Sequence, residues 1–199
     1  MFAQNGYKNT TTLEIAQRLG ISEASIFYYF GSKKELAMVI IEEWYDYISQ
    51  DLKMNLAGIQ GTRPKLTFII RQHLEHLLFD KSGLCAMILG EGRSMDQEMQ
   101  ALIGKCKNKY FSSLMELLDR ASAQGEIRKD IPPWLIRDII FGTTERVFWD
   151  SVSGTSAPDV DMVTTILADM IWSALQLQDD DRQKLEKLKN EMYGVLEKN

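Results

Sequence analysis

Residues 11–36, TTLEIAQRLGISEASIFYYFGSKKEL, hold the signals that decide the local fold. The hydroxyl residues that can cap a helix here are Thr11, Ser22 and Ser32. Two of them have a glutamate three residues later, which is the capping-box pattern. Gly20 and Gly31 follow the apolar positions, where a left-handed residue often ends a helix. The stretch therefore predicts two short helices joined by a tight turn, followed by a longer helix.

Two short helices joined through a turn around Gly20 match the helix-turn-helix arrangement, whose second helix enters the major groove of DNA. That groove is about 12 Å wide, and the small residues Ala24 and Ser25 would let the helix approach base edges closely. Tyr28 and Tyr29 carry hydroxyls that can donate to phosphates. The spacing alone fits an ordinary helical subdomain equally well.

The remainder of the chain also has helical periodicity, and no alternating strand pattern stands out. The protein is therefore predicted to be all-α. Helices are expected over residues 64–78, 84–92, 96–124, 133–152 and 160–177. A final helix is expected after Asp179, with Leu185, Leu188, Met192 and Leu196 along it.

The 199 residues carry a net charge of −5, which at first argues against DNA as a partner. The charge is uneven, however. Residues 1–34 contain four bases and two acids, a net +2, whereas residues 35–199 carry −7. Apolar runs are far shorter than the roughly 20 residues of a membrane span, and no signal segment opens the chain, so a soluble cytoplasmic protein without membrane partners is expected.

The segments GYKNTTTLEIA (6–16), GIS (20–22), IFYYF (26–30) and SKKEL (32–36) resemble, in register, the DNA-binding domain of the TetR family of bacterial repressors. The resemblance implies phosphate contacts from Thr11 or Thr12, Tyr28 and Lys33. It implies base contacts from around Glu23, Ala24, Ser25 and Tyr29. Phe27 stands where the family usually has tyrosine. Residues 1–5 match only the last turn of the family's first helix, which is therefore expected to be incomplete.

The same resemblance implies a two-domain organisation. Residues 1–48 would be the DNA-binding domain and residues 49–199 the ligand-binding and dimerisation domain. Helices near 133–152 and 160–177 would pack with those of a second copy, forming a homodimer on double-stranded operator DNA. The aromatic content of this region independently favours an interface: Trp134, Phe141, Phe148, Trp149 and Trp172 are many large side chains for a small monomer.

Segments HLEHL (73–77), EGRS (91–94), GEIRKD (125–130) and FGTTE (141–145) are similar to the branch of the family that senses long-chain fatty acyl-CoA. The likeness implies a repressor released by a hydrophobic effector. It places the acyl chain among Leu77, Leu78, Met87, Leu114, Leu118 and Phe141. Arg93 is predicted to bind the anionic head. Each buried CH₂ group would contribute about 0.8 kcal/mol.

Other functions stay open at this point. The effector could be a drug or another small molecule. His73 and His76 lie one helical turn apart and could begin a metal site, but nothing nearby supplies further ligands. A helical interaction protein that does not bind DNA is a third possibility. No catalytic motif is present, so no catalytic residue, metal or cofactor is expected. Cys85 and Cys106 are expected to be buried thiols.

Overall fold

The computed structural model describes residues 1–80, 82–177, 187–188 and 190, without the side chains of Ala3 and Arg93. The fold of these residues is all-α, as predicted, and their β pairing is one isolated bridge between Ile127 and Gln176. Three short helices come first and form what we call the N-terminal unit: α1 (Phe2–Asn9), α2 (Thr12–Leu19) and α3 (Glu23–Phe30).

Longer helices follow. Helix α4 (Lys33–Leu56) leads from the N-terminal unit into what we call the bundle. The bundle consists of α5 (Thr62–Leu78), α6 (Leu84–Glu91), α7 (Gln97–Ala123), α8 (Pro133–Val152) and α9 (Val160–Leu175), with a short 3₁₀ turn over Gly92–Ser94. Helix α4 continues without a break through residue 48, so the predicted division into domains at that position stays a prediction.

Helix α5 is the centre of the bundle. It packs against α4, α7, α8 and α9, and α4 also lies along α7. Leu66, Ile69, Ile70 and Leu74 of α5 are fully buried, which matches the predicted apolar stripe of this helix. No helix in the described ranges is both long and apolar enough to cross a bilayer.

The predicted caps of the N-terminal unit are confirmed. The Thr11 hydroxyl accepts from the Glu14 backbone N–H, and the Glu14 carboxylate accepts from that of Thr11, which completes the capping box. The Ser22 hydroxyl accepts from the backbone N–H of Ser25, and the Ser32 hydroxyl accepts from that of Glu35. These bonds satisfy amide groups that a helix start leaves without partners.

Two differences concern the C-terminal part. Helix α9 ends at Leu175 instead of residue 177, because Gln176 turns to an extended conformation and pairs with Ile127. The backbone N–H of Arg128 then donates to the Leu175 carbonyl at 2.9 Å. Of the predicted final helix after Asp179, Leu188 is described and is exposed, whereas Leu185, Met192 and Leu196 lie outside the described residues.

Helix α1 is broken at Gly6 and is fastened to the bundle at the break. Gly6 has φ +78° and ψ 161°, which interrupts the helical backbone. The freed backbone N–H of Tyr7 donates to Glu91 Oε2, in the last residue of α6, at 3.1 Å. A Cβ atom at Gly6 would overlap Glu91 Oε1. The close approach of α1 and α6 therefore depends on glycine at this position.

Gly6→Ala is expected to detach α1, because alanine meets both an unfavourable φ and the Glu91 carboxylate. Gly61→Ala is the matched control: its backbone, with φ +84° and ψ 151°, resembles that of Gly6, and a Cβ there meets Pro64 only at an ordinary contact distance, so only the backbone cost of about 1–3 kcal/mol applies. We expect Gly6→Ala to lower the free energy of unfolding by more than the control and to accelerate hydrogen exchange over residues 2–9. Equal losses in both variants would contradict this account of the contact.

Candidate DNA interface and effector cavity

Helices α2 and α3 form the predicted helix-turn-helix. Gly20 adopts the left-handed conformation at φ +69°, and the N–H groups of Gly20 and Ile21 bond carbonyls of the last turn of α2. Ala16 of α2 and Ile26 of α3 are buried between the helices and the rest of the core. The turn and this shared core fix the orientation of α3, so the side of α3 that is opposite Ile26 faces solvent.

The solvent-facing side of α3 consists of Ala24, Phe27 and Tyr28, spaced at i, i+3 and i+4. Phe27 is 46% exposed and Tyr28 is 83% exposed. Tyr29 is also exposed, and its ring meets that of Tyr28 edge-on at 5.1 Å. Sequence reasoning did not select Phe27 as a base contact, although its spacing from Ala24 could have indicated it. The outer face is therefore mainly apolar, with tyrosine hydroxyls at its edge.

Four of the predicted DNA contacts, Thr11, Thr12, Glu23 and Ser25, are engaged within the N-terminal unit. The buried Thr12 donates its hydroxyl to Glu23 Oε1 at 2.6 Å, which joins α2 to the start of α3. The Ser25 and Ser22 hydroxyls lie 2.8 Å apart and share a hydrogen bond. Thr11 is exposed but donates its hydroxyl to Glu14. These side chains shape the surface of α3 in the free protein.

Lys33, predicted to contact phosphate, lies beneath the end of α1. Its Nζ donates to the carbonyls of Tyr7 at 3.0 Å and Thr10 at 3.1 Å, and it stands 4.6 Å from the centre of the Tyr7 ring. These carbonyls carry the negative end of the α1 dipole, which favours a cation. Lys33 thus holds α1 onto the start of α4.

Lys34 connects the start of α4 with the start of α7. Its ammonium lies 3.1 Å from Asp96 Oδ2 and 2.5 Å from Glu98 Oε2. The Met99 backbone N–H, which Asp96 caps, and the Lys34 ammonium hold the pKa of Asp96 below its usual value. Three of the four bases counted in residues 1–34 therefore have partners within the protein, since Arg18 also donates to Gln4 Oε1 at 3.2 Å.

A cavity that we call the central cavity lies in the bundle between α4, α5, α6, α7 and α8. Its volume is about 50 Å³, so a long ligand would enter it only with movement of the wall. Its wall is mostly apolar and aromatic, and is formed by Trp44, Tyr45, Ile48, His73, His76, Leu77, Cys85, Ile88, Leu89, Lys107, Tyr110, Phe111, Phe141 and Glu145. A pocket of this kind, with few polar groups, is typical of sites for small ligands.

The structure brings two of the predicted ligand contacts, Leu77 and Phe141, to the central cavity. Leu114 and Leu118 lie on the same face of α7 as Tyr110, further along the helix. There the core is filled, and both leucine side chains are fully buried instead of lining the cavity. Met87 is also buried in that core, and Leu78 does not line the cavity. The Arg93 side chain lies outside the described residues.

Aromatic rings form one side of the central cavity. The rings of Phe111 and Phe141 are 4.1 Å apart, and His73 meets Phe141 edge-on at 4.4 Å. Such offset and edge-to-face arrangements add favourable energy to the burial of the rings. This side of the wall can therefore contact an apolar ligand while it keeps its own shape.

The same wall holds two histidines that share one phenol. His73 Nδ1 lies 3.2 Å and His76 Nδ1 3.5 Å from the Tyr110 hydroxyl. Burial lowers the pKa of His73 to about 3, and it also lowers the pKa of His76, which Asp51 only partly offsets. Both imidazoles are therefore neutral near pH 7.

The two histidines do not begin a metal site in the described part of the chain, where no cluster of three or more histidine, cysteine, aspartate or glutamate side chains is placed to hold an ion. Cys85 and Cys106 are buried free thiols, as expected. Burial raises the pKa of both thiols, which keeps them protonated and unreactive.

Two further cavities adjoin the central one. The Lys107 cavity shares Ile88, Leu89, Lys107 and Glu145 with it and is also lined by Gly92, the neighbour of Arg93 in sequence. The Phe79 cavity shares Trp44, Ile48 and His76 and extends to the exposed Phe79. The apolar space thus continues in two directions, and one of them passes a lysine ammonium.

A helix-turn-helix with an outward α3, joined to a helical bundle that encloses a cavity, defines a DNA-binding transcription regulator. The chain belongs to the TetR family: the family model for "Bacterial regulatory proteins, tetR family" matches residues 1–38. The model for "YsiA-like protein, C-terminal region" matches residues 41–175.

Individual relatives agree with this assignment. The fatty acid metabolism regulator protein of Bacillus subtilis is 22% identical over 175 residues, which cover 88% of this chain and 90% of that protein. The crystal structure of FadR from Bacillus subtilis in complex with stearoyl-CoA superposes with a TM-score of 0.76, at 22% identity, over 87% of this chain and 92% of that one. The crystal structure of AibR in complex with isovaleryl coenzyme A and operator DNA superposes with a TM-score of 0.67, at 21% identity, over 86% of this chain and 91% of that one.

The exposed Phe27 generates a prediction about base contacts. In the major groove, an apolar side chain can contact the thymine C5-methyl group, which uracil lacks. In an operator selected from random duplexes, we expect replacement of the contacted thymine by uracil to weaken binding about fourfold, since one buried methyl or methylene group contributes about 0.8 kcal/mol. Phe27→Ala should remove this dependence, as measured by fluorescence anisotropy.

The matched control for this prediction is Leu19→Ala, which removes an exposed apolar side chain from α2 instead of α3. It should bind the thymine and uracil duplexes with the same ratio as the unmodified protein. Phe27 is not a base contact if Phe27→Ala keeps the full uracil effect.

Proposed function

We propose that this protein is a repressor that binds operator DNA as a homodimer and is released by an amphipathic effector of the fatty acyl-CoA class. The observation that carries the proposal is the position of α6. Its residues Cys85, Ile88 and Leu89 line the central cavity, and its last residue, Glu91, holds α1. One short helix thus touches both the effector site and the N-terminal unit.

The composition of the cavities supports an amphipathic effector. The central cavity offers Leu77, Phe111 and Phe141 to an apolar chain. Lys107, which forms no ion pair with the residues that the structure describes, stands where this cavity meets the Lys107 cavity. We therefore add Lys107 to Arg93 as a partner for the anionic head. The stearoyl-CoA in the FadR structure and the isovaleryl coenzyme A in the AibR structure each have an apolar acyl part and an anionic head.

The proposed signal is a movement of α6. An effector in the central cavity displaces Ile88 and Leu89, and Glu91 at the end of the same helix then shifts or releases the Tyr7 amide. Helix α1 is joined to α4 through Lys33, so the position of α2 and α3 changes with it. The effector favours the altered arrangement and DNA favours the original one, so each weakens binding of the other.

The test is release of labelled operator DNA by a long-chain acyl-CoA, followed by fluorescence anisotropy. We expect the thioester to lower operator affinity by about 5- to 150-fold, the usual range of allosteric coupling. Glu91→Ala should bind the thioester at least as tightly as the unmodified protein, since the bond to Tyr7 no longer opposes the movement of α6, but it should release DNA at least fivefold less effectively, since α6 is no longer joined to α1.

Glu116→Ala removes an exposed carboxylate of α7 and is the matched control, with release as in the unmodified protein. Release by a drug-like aromatic compound, without any effect of the thioester, would favour the drug-responsive alternative instead. Failure of the full chain to select any DNA sequence would contradict the repressor assignment itself.

A homodimer is supported by the outer faces of α8 and α9. Leu135 and Ile139 on α8 are exposed, as are Met162, Ile166 and Met170 at one-turn spacing on α9. Exposed apolar stripes of this size mark interaction sites on soluble proteins. Two-fold pairing of both helices, over 133–152 and 160–177, would cover the stripes and place two copies of α3 on successive major grooves.

Ile166→Glu combined with Met170→Glu should dissociate the dimer, because charged groups would have to be buried in the interface. The mass measured by multi-angle light scattering should fall from that of two chains to that of one. Leu19→Glu, an exposed apolar position on α2, is the control and should leave the mass unchanged. A double variant that keeps the mass of two chains would place the interface elsewhere.

The remaining assignments complete the proposal. Residues 1–48 serve as the DNA-binding domain, and residues 49–199 serve as the effector-binding and dimerisation domain. The protein acts in the cytoplasm. We assign no catalytic activity, because the relatives that this chain resembles are transcription regulators. Thr11, Thr12, Tyr28 and Lys33 remain the proposed phosphate contacts, which for Thr12 and Lys33 requires exchange of their present partners.

A further inference from the structure

A line of polar side chains crosses the apolar interior from α4 to the wall of the central cavity. Asp51 accepts a hydrogen bond from Gln72 Nε2 and lies 3.6 Å from His76 Nε2. The Tyr110 hydroxyl lies between the two imidazoles, 3.5 Å from His76 Nδ1 and 3.2 Å from His73 Nδ1. His73 is the last member of the line and is part of the cavity wall.

The positions of the protons follow from the carboxylate at the beginning of the line. A neutral His76 has one N–H, and beside Asp51 it belongs on Nε2, because a bare Nε2 would face another acceptor. His76 Nδ1 is then an acceptor for the Tyr110 O–H. The Tyr110 oxygen in turn accepts from His73 Nδ1–H. Burial raises the pKa of Tyr110, so the phenol keeps its proton.

This order leaves a lone pair on His73 Nε2. Nε2 forms no hydrogen bond to the residues that the structure describes. The neighbouring wall is mostly apolar and aromatic, with Phe111 and Phe141 beside the imidazole, and its charged members are Lys107 and Glu145. A purely aliphatic ligand would cover this nitrogen without giving it a partner. Sites that contain such an unpaired polar group discriminate strongly against ligands that cannot satisfy it.

We propose that the effector carries a hydroxyl group within its apolar part, and that this hydroxyl donates a hydrogen bond to His73 Nε2. The inference rests on the proposed function, because it specifies the chemistry of the ligand in the same cavity. Tyr110 is the positioning residue, since it holds His73 in the tautomer that accepts. The effector class is thus a hydroxylated acyl thioester.

The experiment compares saturated dodecanoyl-CoA with a set of its monohydroxylated isomers, one for each position along the chain, by isothermal titration calorimetry on the full protein. We expect at least one isomer to bind at least tenfold more tightly than the parent thioester. His73→Phe keeps a ring against Phe141 but has no acceptor, so the parent and the preferred isomer should bind it within twofold of each other.

Tyr110→Phe is a second variant, which guards against a folding defect in the first. It removes the hydroxyl that fixes the His73 tautomer and should reduce the preference at least threefold, with circular dichroism confirming the fold. Tyr28→Phe, on the surface of α3, is the matched control and should keep the full preference.

The outcomes separate this inference from the proposed function. Equal binding of parent and isomers, with operator release intact, overturns the hydroxyl assignment and leaves the repressor function standing. A preference that survives His73→Phe also overturns it. If no thioester binds or releases operator DNA, the acyl-CoA function fails and the inference fails with it.

Discussion

A carboxylate that accepts a backbone hydrogen bond across two helices constrains their relative position more than apolar packing does, because the bond has a preferred direction as well as a length. In this chain the carboxylate is Glu91 and the donor is the Tyr7 amide, freed by the break of α1 at Gly6. The contact fixes the end of α6 to the N-terminal unit, and the rest of α6 forms part of the cavity wall. The volume of the cavity and the position of the DNA-binding helices are therefore not independent quantities.

The α5 and α7 side of the bundle interior carries a second set of directional contacts. The polar line begins at the partly exposed Asp51 and runs inward to His73, and its buried imidazole and phenol groups need their partners because unpaired polar groups are costly in a low-dielectric interior. That requirement fixes the rotamers of His76 and Tyr110 and, through them, the ring of His73. The α5 and α7 side of the cavity is thus held by these hydrogen bonds, whereas α6 lines the cavity with the apolar side chains of Ile88 and Leu89.

The sequence predicted the helices well, because their signals are local. The capping pattern at Thr11 and the stripe from Leu66 to Leu74 depend on residues within one or two turns. The cavity was predicted less well. Periodicity shows that Leu114 and Leu118 face inward with Tyr110. It does not show that Tyr110 lines the cavity while the two leucines pack in the filled core, because that difference depends on packing between distant segments. The hydrogen bonds of Thr12 and Lys33 join α2 to α3 and α4 to α1, and no pattern within a single helix indicates them.

The internal use of Lys33 and Lys34 also bears on how the protein finds its target among many other sequences. Binding to arbitrary DNA depends almost entirely on cations that replace counterions along the backbone, and it allows a protein to slide over long distances. In the free protein these two ammonium groups are bonded to carbonyls and to Asp96 and Glu98, and the other bases of residues 1–34 are Lys8 and Arg18, of which Arg18 donates to Gln4 Oε1. Cations that are bonded within the protein do not replace counterions, so we expect the free protein to be retained only weakly on arbitrary sequences. Lys33 can serve at a specific site only after it exchanges its carbonyl partners for phosphate, which sets contact with the operator apart from contact with other DNA.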